Sequence, residues 1–512
     1  MRVYAKIVTY VYLALVVIIL PFFAPQGYEN IGDYKYYLFR GTGVVCFGLL
    51  VPVMLFYLVK AYRQRKPLQL SVTDKAMLLY AVAVVAAFLC SEWKDEALWG
   101  TEGWYMGAVT QLMFVAAYFA VSRFAEKEKM WYVIFLVVSF CVFLLGLLNR
   151  FSVYPFRMEG ANPGFISTLG NINWFCSYWV VVFPVGLVLY WLGTGETIWK
   201  KAALIIYIIV GFMTGIVQGS SSGFLALGIM FLALFCLSFR ENEKLLRWME
   251  LLFFFVISAL LISVMKSWFP ESLNYHDAIA EKLTEYSGIV PALSVLVVCY
   301  AIVHYRMNRK GLKVKNLTFL RNTVIGIVLV AILAVGILII FYTKNPEAAN
   351  SQTAQTFVVD SDWGNSRGTT WAAGITAFHT MSFREKLTGI GPDCFSKYVY
   401  GEWDIAVMLY NVFGDARLTN AHNEWLTVLV NVGICGFLTY VTVFVTAVYR
   451  QLKADKSRET ALVSAVCVIA YTIHNMVSFQ QVIGTPIVFI LMGMGEGILC
   501  RNMEKIKEKI DR

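Results

Sequence analysis

The sequence predicts an all-α polytopic membrane protein with about fourteen transmembrane helices and one large outer loop. Of its 512 residues, 59% are hydrophobic and only 15% are charged, and the mean hydropathy is +0.64. These values lie well outside the usual range of soluble globular domains. Charge-free apolar runs recur along the whole chain, and about 20 apolar residues let a helix cross the hydrocarbon core of a bilayer.

The apolar runs predict where each transmembrane helix begins and ends. The first run follows Arg2 and Lys6 and lacks a clean cleavage site, so we interpret it as a retained helix rather than a signal peptide. Two runs are too long for one crossing, and we split them at the polar stretches 218–223 and 478–481. The predicted helices are 7–24, 41–59, 76–91, 104–122, 130–149, 174–193, 202–218, 223–239, 250–266, 287–305, 322–343, 424–449, 460–477 and 482–500.

The distribution of basic residues orients these helices. With the N-terminus in the cytoplasm, the inner segments hold 30 of the 43 lysines and arginines, as the positive-inside rule requires. Both termini are then cytoplasmic. The net charge of +10 is explained by this bias, so nucleic-acid binding is not expected.

The longest polar stretch is 344–422, between the eleventh and twelfth helices. Loops of this length are uncommon without a function. Within it Trp371, Ile375 and Phe378, which are residue types usually found buried, recur at helical spacing, so we expect the loop to fold against the membrane surface. The predicted organisation is helices one to eleven in 1–343, the loop in 344–422, helices twelve to fourteen in 423–500 and a basic cytoplasmic tail in 501–512.

The ten cysteines form no CxxC pair and no Cys/His spacing of the kind that holds a metal. We therefore expect no disulfide framework and no metal at these cysteines. No cofactor is expected for the chain either.

Three short stretches carry residues suited to chemistry. The first, 364–371, reads Gly-Asn-Ser-Arg-Gly-Thr-Thr-Trp. The planar guanidinium of Arg367 can bind phosphate oxygens through paired hydrogen bonds. A solvated arginine between turn residues fits the same pattern.

The second stretch, 418–426, lies at the outer mouth of the twelfth helix and contains His422 and Asn423. An imidazole with an ordinary pKa of about 6.5 can accept a proton from an attacking hydroxyl near neutral pH. His422 is thus the catalytic candidate, and a structural histidine bonded to a nearby carbonyl is the alternative. His474, near the outer end of the thirteenth helix, either lines the same pocket or is a bonded structural histidine.

The third stretch, 167–174, begins the sixth helix on the outer face, after Arg150 and Arg157. Backbone amides at the start of a helix attract anions, and the side chains of Asn171 and Asn173 can bond sugar hydroxyls. Helix capping by either asparagine explains the pattern equally well.

The order of these motifs resembles the O-antigen ligase and O-antigen polymerase family of bacterial glycan enzymes. The resemblance rests on many helices with one large outer loop late in the chain. It is clearest in Ser366-Arg367-Gly368, Trp371, Gly389-Ile390-Gly391-Pro392-Asp393-Cys394-Phe395, Ala421-His422-Asn423-Glu424-Trp425-Leu426 and Gly433-Ile434-Cys435-Gly436, with looser similarity at Leu98-Trp99-Gly100 and Gly170-Asn171-Ile172-Asn173.

This resemblance implies an architecture like that of GT-C glycosyltransferases, in the bacterial inner membrane. It implies transfer of a glycan from an undecaprenyl-pyrophosphate carrier to an acceptor hydroxyl on the outer face, without an obligatory metal. Arg367 would bind the pyrophosphate, and His422 would activate the acceptor or steady the leaving group. The expected supporting residues of the pocket are Asn171, Asn173, Trp371, Gly391, Asn423 and His474.

The chain departs from the family at Ser221-Ser222-Gly223, where the family often has Ser-Arg-Gly. A second arginine that would meet the pyrophosphate is therefore absent, and Arg150 and Arg157 are its candidate replacements.

The main alternative is a flippase or another multi-pass transporter for lipid-linked glycans, since the same topology would suit it. Such proteins place charges or broken helices at the middle of the membrane, and the predicted helix cores here are nearly free of charge. A ligase and a polymerase share the donor and differ in the acceptor, which can be a glycan, a lipid or a cell-wall polymer. The sequence leaves that choice open.

Overall fold

The computed structural model shows an almost entirely helical chain. It describes residues 1–65, 68–194, 197–275, 277–455 and 458–510, and the side chains of all of these except 352, 355 and 502–510. Within this part of the chain, two short antiparallel strands, β1 (Phe165–Ile166) and β2 (Gly170–Asn171), stand just before a long helix.

The helices before the outer loop follow the apolar runs. They are α1 (Arg2–Phe22), α2 (Ile31–Arg63), α3 (Val72–Cys90), α4 (Lys94–Trp99), α5 (Ala108–Phe124), α6 (Glu128–Arg150), α7 (Ile172–Leu192), α8 (Ile198–Val217), α9 (Ser222–Ser238), α10 (Asn242–Trp268), α11 (Ala278–Leu283), α12 (Tyr286–Arg309) and α13 (Thr318–Lys344), with a 3-10 turn at Val314–Leu317.

The outer loop and the last three long helices complete the chain. A 3-10 turn at Pro346–Ala348 leads to α14 (Ser351–Phe357), α15 (Trp363–Thr380), α16 (Phe383–Thr388), α17 (Phe395–Gly401), α18 (Trp403–Phe413), α19 (Glu424–Leu452), α20 (Ala461–His474) and α21 (Thr485–Ile510).

Each of the fourteen predicted helices coincides with a helix of the structure, and both predicted splits are confirmed. The chain leaves α8 at Val217 and starts α9 at Ser222, and it leaves α20 at His474 and starts α21 at Thr485. The last helix runs past its predicted end at residue 500. Residues 511 and 512 of the predicted tail lie outside the described part.

The second helix begins ten residues before its predicted start at residue 41. The additional residues include Lys35 and Arg40. The structure pairs both cations: Lys35 Nζ donates to the carbonyl oxygen of Leu20 at 2.8 Å, and the Arg40 guanidinium lies 5.2 Å from the centroid of the Trp99 ring. A charge that is paired in this way no longer opposes burial in a helix.

Ten of the described helices are long and apolar enough to cross a membrane by length and composition. Shorter apolar helices include α5, α9 and α20. The structure therefore supports an all-α polytopic membrane protein, and the number of fourteen crossings stays a prediction.

Helix α7 lies at the centre of the bundle. In its most apolar stretch 94% of the residues are buried inside the chain, and it packs against α20, α8 and α6. At the other extreme, the most apolar stretch of α13 has no buried residue. Because that helix is apolar all round and uncovered by the described chain, its surface is suited to lipid.

The outer loop has a small apolar core of its own, which includes Ala373, Ala377, Phe395 and Leu409. The side chain of Ile375 is 51% exposed and lies outside this core. The buried face of α15 consists of small residues instead. They let the helix come close to its neighbours: a Cβ on Gly374 would lie 2.7 Å from Leu426.

The loop docks onto a break in α19. Gly433 has φ +67° and ψ −176°, which interrupts the helix and releases carbonyl groups on its N-terminal side. The backbone N–H of Ile390 donates to Val430 at 3.2 Å, and that of Gly391 donates to Asn431 at 3.0 Å. This junction fixes the loop against the end of the bundle where the site lies.

Candidate functional site

Arg367 stands at the start of the regular part of α15. The three residues before it, Gly364, Asn365 and Ser366, all have left-handed φ angles of 61° to 63°, a conformation that glycine and asparagine tolerate best. This turn lets Arg367 Nη1 donate to the carbonyl oxygen of Gly364 at 2.7 Å, and Nε donates to the carbonyl oxygen of Val477 at 3.2 Å. Burial lowers the pKa of the Arg367 guanidinium.

His422 lies in the short connection before α19. Its φ is +49°, and its backbone N–H donates to Asn420 Oδ1 at 2.9 Å. Asn423 caps the helix by accepting from the backbone N–H of Leu426 at 3.1 Å. These bonds hold the imidazole against Phe479, with the ring centroids 5.1 Å apart.

The acid–base state of His422 follows from its surroundings. Burial, and secondly the charge of Arg367, lower the pKa of His422 to about 4. At neutral pH the imidazole is therefore uncharged and has a lone pair for a proton. Neither ring nitrogen has a hydrogen-bond partner among the described residues.

One segment, residues 474–481, connects these two groups. The carbonyl oxygen of Val477 accepts a hydrogen bond from Arg367, and the ring of Phe479 packs against His422. The arginine and the histidine therefore contact positions of this connection that are only two residues apart. The structure thus brings together two residues that lie 55 positions apart in the sequence.

His474 begins this segment. Its Nε2 lies 3.2 Å from Ser222 Oγ, and its Nδ1 lies 2.8 Å from Asn475 Oδ1. Asn173 joins the same group because its Oδ1 accepts from Ser220 Oγ at 3.1 Å. Arg367 is close enough to act electrostatically on both His422 and His474.

Asn171 has a capping geometry. Its side-chain oxygen accepts from the backbone N–H of Asn173 at 2.8 Å at the start of α7. The helix-capping interpretation of this asparagine is therefore the one that the geometry shows.

The two candidate replacements for the missing arginine differ in position. Arg150 is buried, and its Nη2 donates to the carbonyl oxygen of Gln218 at 2.6 Å, so it reaches the turn before α9. Its Nη1 donates to Pro163 at 2.8 Å. The side chain of Arg157 is 90% exposed and lies 4.0 Å from Glu159, so the structure does not bring it to this cluster.

Trp371 and Gly391 support the loop. The Trp371 ring packs edge-on against Trp363 at 5.5 Å. Gly391 has φ +124°, and a Cβ there would lie 2.3 Å from Ser91 Oγ. Only glycine is suited to such a conformation and such a close approach.

Sequence reasoning missed Glu424, although it lies two residues after His422. Its side chain is 1% exposed and accepts hydrogen bonds from Tyr440, Tyr471, Asn475 and Gln480. An acidic residue at a helix start usually complements the helix dipole at the surface. No pattern in the sequence distinguishes that role from burial in a polar network.

Asp393 was quoted only as part of a motif, yet it is a buried carboxyl group of the loop. Its Oδ2 accepts from the backbone N–H groups of Thr101 and Met106, both at 2.8 Å. Burial raises its pKa to about 7 in spite of these two bonds. Asp393 lines a cavity together with Trp104, Asn420, Glu424, Phe479 and Gln480, and Phe479 is also the residue whose ring packs against His422.

Comparison with known families agrees with this architecture. Residues 283–441 match the model of a family described as O-Antigen ligase. The match covers less than a third of the chain and includes both Arg367 and His422. No curated protein matches the chain. With its many apolar helices, the chain is therefore a multi-pass bacterial membrane protein whose residues 283–441 resemble the O-Antigen ligase family.

Proposed function

We propose that this protein transfers a glycan from an undecaprenyl-pyrophosphate carrier to a hydroxyl group of an acceptor, at the outer face of the bacterial inner membrane and without a metal. The observation that carries the proposal is the meeting of Arg367 and His422 at one segment, through Val477 and Phe479. A half-buried cation and an uncharged base at one site suit the departure of a pyrophosphate and the arrival of a hydroxyl.

In the proposed step the acceptor oxygen forms a bond to the anomeric carbon of the donor sugar. The bond from that carbon to the pyrophosphate oxygen breaks, and both of its electrons leave with the lipid pyrophosphate. A ring nitrogen of His422 takes the proton of the attacking hydroxyl. The guanidinium of Arg367 stabilises the negative charge that develops on the leaving group.

A pKa of about 4 makes His422 a weak base in the free protein. The bound pyrophosphate would change this, because its negative charge offsets the charge of Arg367 and favours a protonated imidazole. Donor binding would thus raise the basicity of His422 only when there is a substrate to act on.

The orientation of the site comes from charge. The positive-inside distribution of lysine and arginine supports an outer position for the loop 344–422 and the segment 474–481. A lipid-linked donor in the outer leaflet would then have access to Arg367. The reaction would need no nucleotide sugar and no ATP on that side of the membrane.

Arg150 serves this site indirectly in our proposal. Its guanidinium is occupied by the carbonyl oxygens of Pro163 and Gln218, and it also stacks on Tyr275 at 4.7 Å. It would hold the turn 218–222 in place beside His474. Arg157 is left as an exposed surface residue, and Arg367 is the principal cation for the pyrophosphate.

The proposal is tested with purified protein in lipid vesicles that contain undecaprenyl-pyrophosphate bearing a glycan, by following release of the carrier. We expect His422→Ala and Arg367→Ala each to reduce release by at least a hundredfold. His379→Ala and Arg384→Ala are matched controls, since both side chains are exposed in the same loop, and both should release carrier at the normal rate.

Normal release by His422→Ala and Arg367→Ala would refute the proposed roles. If no variant and no wild-type protein released carrier, while the lipid-linked glycan crossed the bilayer, the protein would be a flippase instead.

A further inference from the structure

The carboxylate of Glu424 is surrounded by hydrogen-bond donors. Tyr471 donates to its Oε2 at 2.9 Å, and Gln480 lies at 3.4 Å from its Oε1. Tyr440 also donates to Oε1, and Asn475 Nδ2 donates to Oε2. In its ionised form, the Glu424 side chain fixes the direction of every hydrogen bond around it, because a carboxylate only accepts.

The orientation of the Asn475 amide determines which ring nitrogen of His474 carries the proton. Since its amide NH₂ must face Glu424, its carbonyl Oδ1 must face the other way, where it lies 2.8 Å from His474 Nδ1. The reverse orientation of the amide would press two acceptor oxygens together. Oδ1 can only accept, so the proton of a neutral His474 sits on Nδ1.

The other ring nitrogen then has a free lone pair. His474 Nε2 lies 3.2 Å from Ser222 Oγ, and in this tautomer the serine hydroxyl donates to it. The groups that face His474 come from three neighbouring helices: Ser222 from α9, Glu424 from α19 through Asn475, and Arg367 from α15 through its charge.

Glu424 also anchors the segment that contacts both Arg367 and His422. Its backbone N–H donates to the carbonyl oxygen of Asn475 at 2.9 Å, and its side chain holds Asn475 and Gln480. Gln480 is fixed from the other side, because its Oε1 accepts from Gln111 Nε2 at 2.5 Å. Between these two anchors lie Val477 and Phe479.

We propose that Glu424 is a positioning residue that locks His474 in its Nδ1–H tautomer through Asn475 and holds the segment 475–480 against Arg367 and His422. The effect of this positioning on catalysis rests on the proposed function. The tautomer of His474 does not depend on that function, so it can be measured whether or not the protein transfers glycans.

The first test is nitrogen NMR of the full-length protein, labelled with ¹⁵N-histidine, in lipid bilayers at neutral pH. The five histidines are few enough to separate, and His474→Gln identifies the signal. We expect a pyrrole-type signal for His474 Nδ1 and a pyridine-type signal for Nε2. The opposite pattern in the wild-type protein would overturn the proposal, and this measurement needs no variant of Glu424.

The second test breaks the connection. Glu424→Gln gives position 424 a donor, and Asn475→Leu removes the intermediary. In both variants we expect the two tautomers of His474 to coexist. Glu496→Gln is the matched control, because Glu496 is equally buried but is paired with Arg450 at 2.8 Å at the other end of the bundle. A single unchanged tautomer in both test variants would refute the role of Glu424.

Carrier release provides a separate readout. Glu424→Gln should slow release by about tenfold or more and change its pH profile, whereas Glu496→Gln should leave the profile unchanged. A wild-type protein that shows the expected tautomer but releases no carrier would refute the proposed function alone. A protein that releases carrier normally with Glu424→Gln would refute the positioning role alone.

Discussion

The imidazole of His422 meets the ring of Phe479 edge-on, with the two centroids 5.1 Å apart. Phe479 in turn packs edge-on against Trp104 at 4.6 Å and is itself 5% exposed. This aromatic cover shields one side of the histidine from water. Because burial is the main cause of the low pKa of His422, the contact with Phe479 contributes to that low pKa.

Removing that cover should raise the pKa of His422. In Phe479→Ala, water reaches the imidazole, and we expect its pKa to move from about 4 toward the ordinary value of about 6.5. NMR titration of ¹⁵N-histidine protein measures this directly. Phe479→Leu keeps an apolar cover and should leave the pKa low; equal titration curves for these two variants would contradict the argument.

The same shift should appear in the pH dependence of carrier release. Since the proposed base acts in its neutral form, kcat/KM of the wild-type protein should fall only as the pH drops through about 4. In Phe479→Ala the fall should begin at a higher pH. If kcat/KM fell at the same acidic pH in both proteins, the titration of His422 would not be the cause of that fall.

The charge of Arg367 is the second cause of the low pKa of His422. Arg367→Gln should therefore raise that pKa, by less than Phe479→Ala does, and should slow carrier release by at least a hundredfold. Arg367→Lys keeps the charge and should keep the pKa low, although release should still suffer because lysine lacks the paired donors. A pKa that is identical in Arg367→Gln and Arg367→Lys would argue against an electrostatic effect.

Asp393 should make the protein less stable as the pH rises. Its pKa in the folded protein is about 7, above the value of about 3.9 in an unfolded chain. The folded state therefore holds an extra proton between these values. The stabilisation is complete below about pH 4 and is lost as the pH rises through about 7.

Asp393→Asn should remove this dependence, since Oδ1 of asparagine can still accept from Thr101 and Met106. At pH 8 the variant should be more stable than the wild type by on the order of a few kcal/mol, measured by denaturant unfolding in detergent at pH 5 and pH 8. Asp404→Asn, at an exposed position of the loop, is the control. A wild-type protein whose stability relative to Asp393→Asn is the same at both pH values would refute the prediction.

Gly391→Ala should destabilise the junction between the loop and α19. The backbone there has φ +124°, and the added Cβ would lie 2.3 Å from Ser91 Oγ. Strain of this kind costs about 1–3 kcal/mol, and the overlap adds to it. Gly401→Ala adds a Cβ that meets nothing within 4 Å and should change stability by less than about 0.5 kcal/mol. Equal unfolding midpoints for the two variants would contradict the close packing at Gly391.

Much of the fold could be read from apolar runs and turn residues. The interruption between α8 and α9 was visible as Gly219 and three serines, and the one between α20 and α21 as Ser478 to Gln481. The start of α2 was not, because Lys35 and Arg40 look unfavourable until their carbonyl and aromatic partners are known. Helical spacing marked Ile375 as part of an apolar face but did not show which residues cover that face.

The candidate site was only partly visible. His422 and Arg367 stood out because each has a distinctive chemistry in a short motif, and Arg150 and Arg157 were indistinguishable until the structure put one in the bundle and the other on the surface. Glu424 and Asp393 were passed over as ordinary acidic residues, although burial changes what a carboxyl group does.

The sequence by itself determined that this chain belongs in a membrane, and it determined the order of its helices and the position of the large polar loop. These features depend on local hydropathy and on the residues that break helices. The tertiary structure decided which polar groups meet. The segment 474–481 joins Arg367, His422 and Glu424 only after α15, α19 and α20 have packed. Hydrogen bonds act over about 3 Å, so residues that are distant in the sequence acquire a common function only through the fold.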